Sequence, residues 1–172
     1  MWTRGAKDRW MNFYQVYIVS LIARIYGGSG FKAESLREAS EWAGRDLAGY
    51  VRLLGMEALD VEDALALLNA ATALADHLKV SAGGDTLEVG VHKPSCRMCP
   101  SLLNGCGQPT PKCPLYGLVK GFLESQEAVV LDYDGVEPVD GSEWCILRYK
   151  VKESRATGMR RALYRQQPAM YR

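Results

Sequence analysis

Four of the five cysteines in this 172-residue chain, Cys96, Cys99, Cys106 and Cys113, fall within eighteen residues, with two, six and six residues between them. Thiolates are good ligands for a small divalent ion. A knuckle such as Cys96-Arg97-Met98-Cys99 lets two of them converge on one centre while backbone amides offset the sulfur charge. Two further thiolates complete a tetrahedron, so the spacing predicts a structural zinc site on Cys96, Cys99, Cys106 and Cys113. Cys99-Pro100 and Cys113-Pro114 also resemble the Cys-Pro pairs beside iron–sulfur ligands, which makes a cluster the alternative metal chemistry. A disulfide framework explains the spacing less well, because a chain of 19.1 kDa can bury a core without covalent staples.

Other groups capable of chemistry stand close by in the sequence. His92 runs directly into the cysteine loop and is a further candidate ligand, set against the commoner role of a histidine as a solvated or supporting residue at a strand end. Cys145 alternates with apolar residues and reads first as a small core side chain. Asp132, Asp134 and Glu137 are carboxylates in a turn-rich stretch, where acidic residues are ordinary. No Gly-rich dinucleotide loop accompanies any of these.

The elements that must position these groups follow from periodicity. From Asp8, Trp10, Phe13, Tyr14, Tyr17, Ile18, Leu21, Ile22 and Ile25 recur at helical spacing and predict a helix with a wide buried face, ended by Gly27-Gly28-Ser29-Gly30. Ser35 and Glu38 have the form of a capping box for a second helix along Leu36, Ala39, Ala43, Leu47, Tyr50, Val51 and Leu54, stopped at Gly55. Asp60 caps a third through Val61, Leu65, Leu68, Ala71 and Ala75. Alternation at Leu78, Val80 and Ala82, a Gly83-Gly84-Asp85 turn, and Leu87, Val89 and Val91 predict a hairpin that delivers His92 and Lys93 to the cysteines. Pro114 opens a fourth helix, in which Gly117 and Gly121 let another backbone come close. Residues 128–132 and 144–151 read as strands. The pattern predicts an α+β fold, with N-terminal helices on an antiparallel sheet of about four strands. Residues 1–152 are expected to form one α+β domain with a metal loop at 93–113, which the resemblance described next makes a ligand-binding domain, and 153–172 a basic extension.

The block from Cys113 to Val151 resembles the C-terminal core of 4-vinyl reductase-type domains. The matching residues are Cys113-Pro114 through Glu124, the acidic stretch near Val136-Glu137, and Gly141 followed by Cys145 and Ile146 to Val151. The resemblance implies a fold shared with heme-based nitric oxide sensors and vesicle-tethering subunits, an apolar small molecule held between helices and sheet, and a homodimer. It also implies a metal position built from Cys113, Asp134 or Glu137, and Cys145. Cys113 is thus claimed by two ligand sets; the four-thiolate set is favoured because it matches closed zinc sites, and the set borrowing Cys145 is the reserve.

The expected function is a noncatalytic small-molecule-binding or sensor protein with zinc at the four cysteines and an apolar pocket lined by residues such as Trp42, Tyr50 and Phe122. The alternative is a redox protein or reductase component carrying an iron–sulfur cluster or thiol switch on the same cysteines. A net charge of +1 gives no overall pull toward nucleic acid. From Arg148 to Arg172 there are eight basic residues and one acid, Glu153, which read as a solvated face. No apolar run reaches the roughly 18 residues of a membrane span. Thiol-rich and with no leader-like start, the chain is expected in the cytoplasm.

Overall fold

The computed structural model describes residues 6–27, 33–99, 113–126, 129–138 and 142–153. Its helices are α1 (Phe13–Gly27), α2 (Ala33–Leu53), α3 (Val61–Thr72) and α4 (Pro114–Ser125). Its strands are β1 (Leu78–Gly83), β2 (Thr86–His92), β3 (Val130–Pro138) and β4 (Trp144–Glu153), in one antiparallel sheet of order β1-β2-β4-β3. The α+β expectation therefore holds. The extension beyond Glu153, the loop at 100–112 and residues 28–30 lie outside the described residues.

Local chemistry explains the well-placed elements. The Asp60 carboxylate accepts the Asp63 N–H at 2.9 Å, satisfying an orphan donor at the start of α3. The hairpin turns at Gly84, whose φ of +62° belongs to the left-handed region that favours glycine. Pro114, at the first position of α4, gives up an N–H that has no helical partner there. Along the sheet, Val91 pairs with Cys145, Val89 with Leu147 and Leu87 with Tyr149, so all six share the face that packs on the helices.

The core between sheet and helices is filled by Leu68, Leu87, Val89, Leu115, Phe122, Leu147 and Tyr149, each at most 1% exposed. Helices α2 and α4 meet almost backbone to backbone. A Cβ on Gly117 would stand 2.2 Å from the Arg37 carbonyl oxygen, and one on Gly121 only 1.9 Å from that of Glu41. The paired glycines thus permit the approach their spacing predicts. On α2 the inward face is Ser40, Gly44, Ala48 and Val51, while Ala39, Ala43 and Tyr50 face out. Small residues line this contact because nothing larger fits.

One charged network closes the same seam. Lys120 Nζ donates to Glu41 at 2.9 Å and Glu124 at 3.0 Å, Arg45 bridges both acids, and the Tyr133 hydroxyl donates to Glu41 at 2.7 Å. Burial alone would raise the Glu41 pKa, but the hydrogen bonds from Lys120 and Tyr133 and the charges of Lys120 and Arg45 hold it below its ordinary 4.5. A carboxylate with a lowered native pKa stabilises the fold above its unfolded value, and that stabilisation is lost as pH falls through the native one. Wild-type stability is expected to drop on acidification below 4.5, and Glu41→Gln, weaker at neutral pH, should lose less over that window. Thermal melts at about pH 3 and about pH 6 check both expectations.

The N-terminal helix departs from expectation. It begins at Phe13 rather than near Asp8, because Trp10 adopts a left-handed φ of +53° and ends the preceding turn, with its N–H bonded to the Lys7 carbonyl and that of Met11 to the Ala6 carbonyl. Its aromatic stripe is not core: Trp10 is 86% exposed and Tyr14 83%, with Tyr17 and Leu21 exposed beside them. Gln15 and Val19 are buried instead, and the Gln15 amide donates to the Thr72 and Ala73 carbonyls at the end of α3. Among the described residues no helix is long and apolar enough to cross a membrane.

Candidate metal centre

Three elements bring thiols to one end of the sheet. Strand β2 runs out at His92, and a single 3-10 turn, Lys93–Ser95, leads straight into Cys96, which is buried in the core. Helix α4 starts immediately after Cys113, and Cys145 is the second residue of β4. Cys99 and Cys113 are partly buried and pack on the same core, as does Met98. None of these four cysteines forms a disulfide.

The loop carrying the knuckle is clamped from both sides. The Lys93 N–H donates to the Glu143 carbonyl at 2.7 Å and its ammonium to the Ser142 carbonyl at 2.8 Å, tying the end of β2 to the start of β4. Arg97, a spacer residue inside the knuckle, donates its backbone N–H to Leu74 at 2.8 Å and its guanidinium to the Arg9 and Ala73 carbonyls at 2.8 and 3.2 Å, and it pairs with Asp76. Sequence spacing gives no hint of these clamps, since they depend on partners 21 to 88 residues away.

The electrostatics describe one coupled group. Burial pushes the Cys96 thiol up to about 12, with the charge of Cys99 and that of Cys145 adding to the rise. Burial also raises Cys113 well above its ordinary value, and Cys96, Cys99 and Cys145 each add to it. Cys145 is raised by burial, lowered by Lys93 and raised by Cys99. Acting against these rises, the nearby backbone N–H groups of Met98 and Leu115 lower Cys96 and Cys113 respectively. Such amides favour the thiolate form that binds metal. Among the described residues, however, no three His, Cys, Asp or Glu side chains are drawn together closely enough to hold an ion. The thiols are neighbours across which charge is felt, not a closed tetrahedron.

The remaining candidates separate from this group. His92 Nδ1 lies 3.0 Å from Ser95 Oγ, and its Nε2 lies 3.7 Å from the Glu143 carboxylate, so both ring nitrogens have partners other than a metal. Asp134 faces Lys150 at 3.8 Å. Cys106 lies outside the described residues, as does the side chain of Glu137. The expected pocket residues do not converge: Trp42 and Tyr50 are 59% and 60% exposed on the outside of α2, whereas Phe122 is wholly buried. The α2–α4 contact leaves no room to turn those aromatic rings inward, because it is built on glycine and alanine. An open cleft of about 410 Å³ lies elsewhere, between α3 and β1, lined by Glu62, Leu65, Asn69, Leu78, Lys79 and Val80.

Comparison with known proteins corrects the resemblance drawn from residues 113–151. The MJ0207 family, not the 4-vinyl reductase-type family, is the one whose model matches. The residues behind the earlier likeness have packing reasons: Gly117 and Gly121 admit the backbone of α2, and Pro114 starts a helix. The protein MJ0207 of Methanocaldococcus jannaschii is 29% identical over 126 residues, covering 72% of this chain and 79% of that one. Among solved structures, a trafficking protein particle complex subunit 3 from Naegleria fowleri, covalently bound to palmitic acid, aligns with a TM-score of 0.49 at 12% identity, covering 86% of this chain and 96% of that one. A superposition that loose assigns neither fold nor function. The match over residues 30–151 makes this chain a member of the MJ0207 family.

Proposed function

We propose that the protein is a noncatalytic binding protein in which a thiolate-bound zinc ion fixes the junction of β2, β4 and α4. The observation that carries the reading is the cysteine-rich stretch Cys96, Cys99, Cys106 and Cys113 lying between the end of β2 and the start of α4, with Cys145 second in β4, the strand that pairs with β2. A divalent cation supplies the attraction that neutral thiols lack, and rotation about χ1 re-aims a cysteine without moving its backbone. The charges on Arg9 and Lys93 act on Cys96 and Cys145 in the sense that favours thiolate, which suits a centre with net negative charge.

Binding is assigned to outer faces rather than to the filled layer between helices and sheet. Helix α1 carries one charge, Arg24, in fifteen residues, yet presents Tyr14, Tyr17 and Leu21 to solvent beside Trp10. A helix apolar on nearly all sides is normally covered, and a second copy of the chain is the proposed cover. Light scattering at micromolar concentration is expected to give twice the 19.1 kDa chain mass. Tyr14→Glu with Tyr17→Glu should return it to the single-chain mass, and a monomeric wild type would reject the dimer.

Anaerobic purification followed by elemental analysis and an absorption spectrum tests the metal reading. A colourless protein with zinc supports it. A brown protein with iron and acid-labile sulfide would instead establish the cluster, and with it redox chemistry.

A further inference from the structure

Helix α2 ends in a turn that holds apolar side chains out in solvent. Gly55, at a φ of +76°, donates its N–H to the Arg52 carbonyl, and the Met56 N–H donates to that of Val51, the paired bonds of a Schellman cap. The backbone of the turn is therefore fixed locally, and the exposure around it is built in. Leu53 is 86% and Leu59 89% exposed, with Tyr50, Leu54 and Met56 also open to solvent. Five large apolar side chains bared within ten residues mark a surface that binds something.

The surrounding charge selects the occupant. Residues 46–63 carry Asp46, Glu57, Asp60, Glu62 and Asp63 against one base, Arg52, whose guanidinium is engaged with the Ser125 carbonyl. A two-fold contact with a second copy through this surface would set acid against acid, and an anionic lipid surface would meet the same repulsion. A basic segment carrying apolar residues meets neither. Residues 154–172 are such a segment, with five Arg and no Asp or Glu, interleaved with Met159, Leu163, Tyr164, Met170 and Tyr171.

We propose that residues 154–172 dock on the apolar turn at the end of α2 in the same chain, setting their arginines against its acids. The point of departure suits this path. Glu153, the last residue of β4, pairs with Val130, and Val130 lines a cleft of about 270 Å³ together with Arg45, Glu124 and Ser125, the residue whose carbonyl Arg52 holds. The segment thus leaves the sheet at the end of the molecule where α2 stops. Nineteen residues span about 60 Å when extended, so reach sets no limit. Covalent attachment also makes the docking intramolecular, and contacts too weak to hold a free partner then suffice.

The test uses the full chain with a benzophenone amino acid in place of Leu53, whose exposure lets it be replaced without touching the core. The control carries the same group in place of Ser81, exposed on the sheet face away from the helices. Irradiation is expected to join position 53, and not position 81, to residues 154–172, with the product running at single-chain mass on a denaturing gel and the site read by peptide mapping. Arg160→Glu with Arg161→Glu should remove most of that yield, and high salt should reduce it. Cross-links to the segment found only at twice the chain mass would overturn its assignment to the same chain. No cross-link to the segment, or equal yields from positions 53 and 81, or a yield indifferent to the two charge reversals, would overturn the docking itself.

Discussion

Gly121→Ala is expected to lower the free energy of unfolding by roughly 3 kcal/mol, the upper end of what overpacking ordinarily costs. The added methyl would sit 1.9 Å from the Glu41 carbonyl oxygen, and the clashing atom is helix backbone, which has no rotamer to yield. Relief requires α2 and α4 to separate, and separation lengthens the hydrogen bonds of Lys120 and Tyr133 to Glu41 at the same seam. Gly49→Ala is the internal control. No atom lies within 4 Å of a Cβ built there, and removing a glycine from a helix interior should stabilise by about 0.5 to 1 kcal/mol. Urea unfolding of the two variants beside wild type therefore reads opposite signs from the same chemical change on facing helices.

The second large effect concerns the thiols. Cys113→Ser should reduce bound zinc from one per chain to none, because a hydroxyl at the start of α4 is a poor substitute for a thiolate ligand. Far-ultraviolet circular dichroism should be nearly unchanged, since the core of Leu68, Phe122 and Leu147 does not depend on the metal. The loss should appear in limited proteolysis between residues 96 and 113. Arg97→Ala addresses the support rather than the ligand. It removes the clamps to Arg9, Ala73 and Asp76 while leaving every cysteine in place, and a supporting residue of that kind is worth about 10- to 100-fold in metal affinity. Competition with a zinc-binding dye measures both variants.

What could be read from the sequence divides along physical lines. The hairpin, the Asp60 cap, Pro114 at the start of α4 and the close approach at Gly117 and Gly121 depend on residues near one another in the chain, so periodicity and turn chemistry were enough to find them. The faces of α1 and α2 depart from expectation for one reason: hydrophobicity alone does not measure burial. On α2 the tight helix contact selects Ser40, Gly44 and Ala48 over larger apolar residues, and Tyr50 is left outside. On α1 the buried positions are Gln15, which meets the carbonyls at the end of α3, and Val19, while the aromatic residues face out.

The cysteine cluster was legible as chemistry, not as geometry. Local spacing groups Cys106 with Cys96, Cys99 and Cys113, whereas the place of Cys145 opposite Val91 arises from strand register, which no spacing along the chain encodes. The supporting roles of Arg97 and Lys93 were hidden for the same reason, because their partners come from distant segments. The family resemblance was misleading in a related way. Glycines imposed by helix packing carry no mark of a lineage, and the family shown is MJ0207.

Native mass spectrometry of the anaerobically purified full chain tests the central claim most directly. The account predicts a species heavier than the 172-residue polypeptide by one zinc ion per chain, less the protons its thiols release, with the zinc lost on acidification. A chain that flies only at its metal-free mass, and stays so after incubation with zinc, would contradict it.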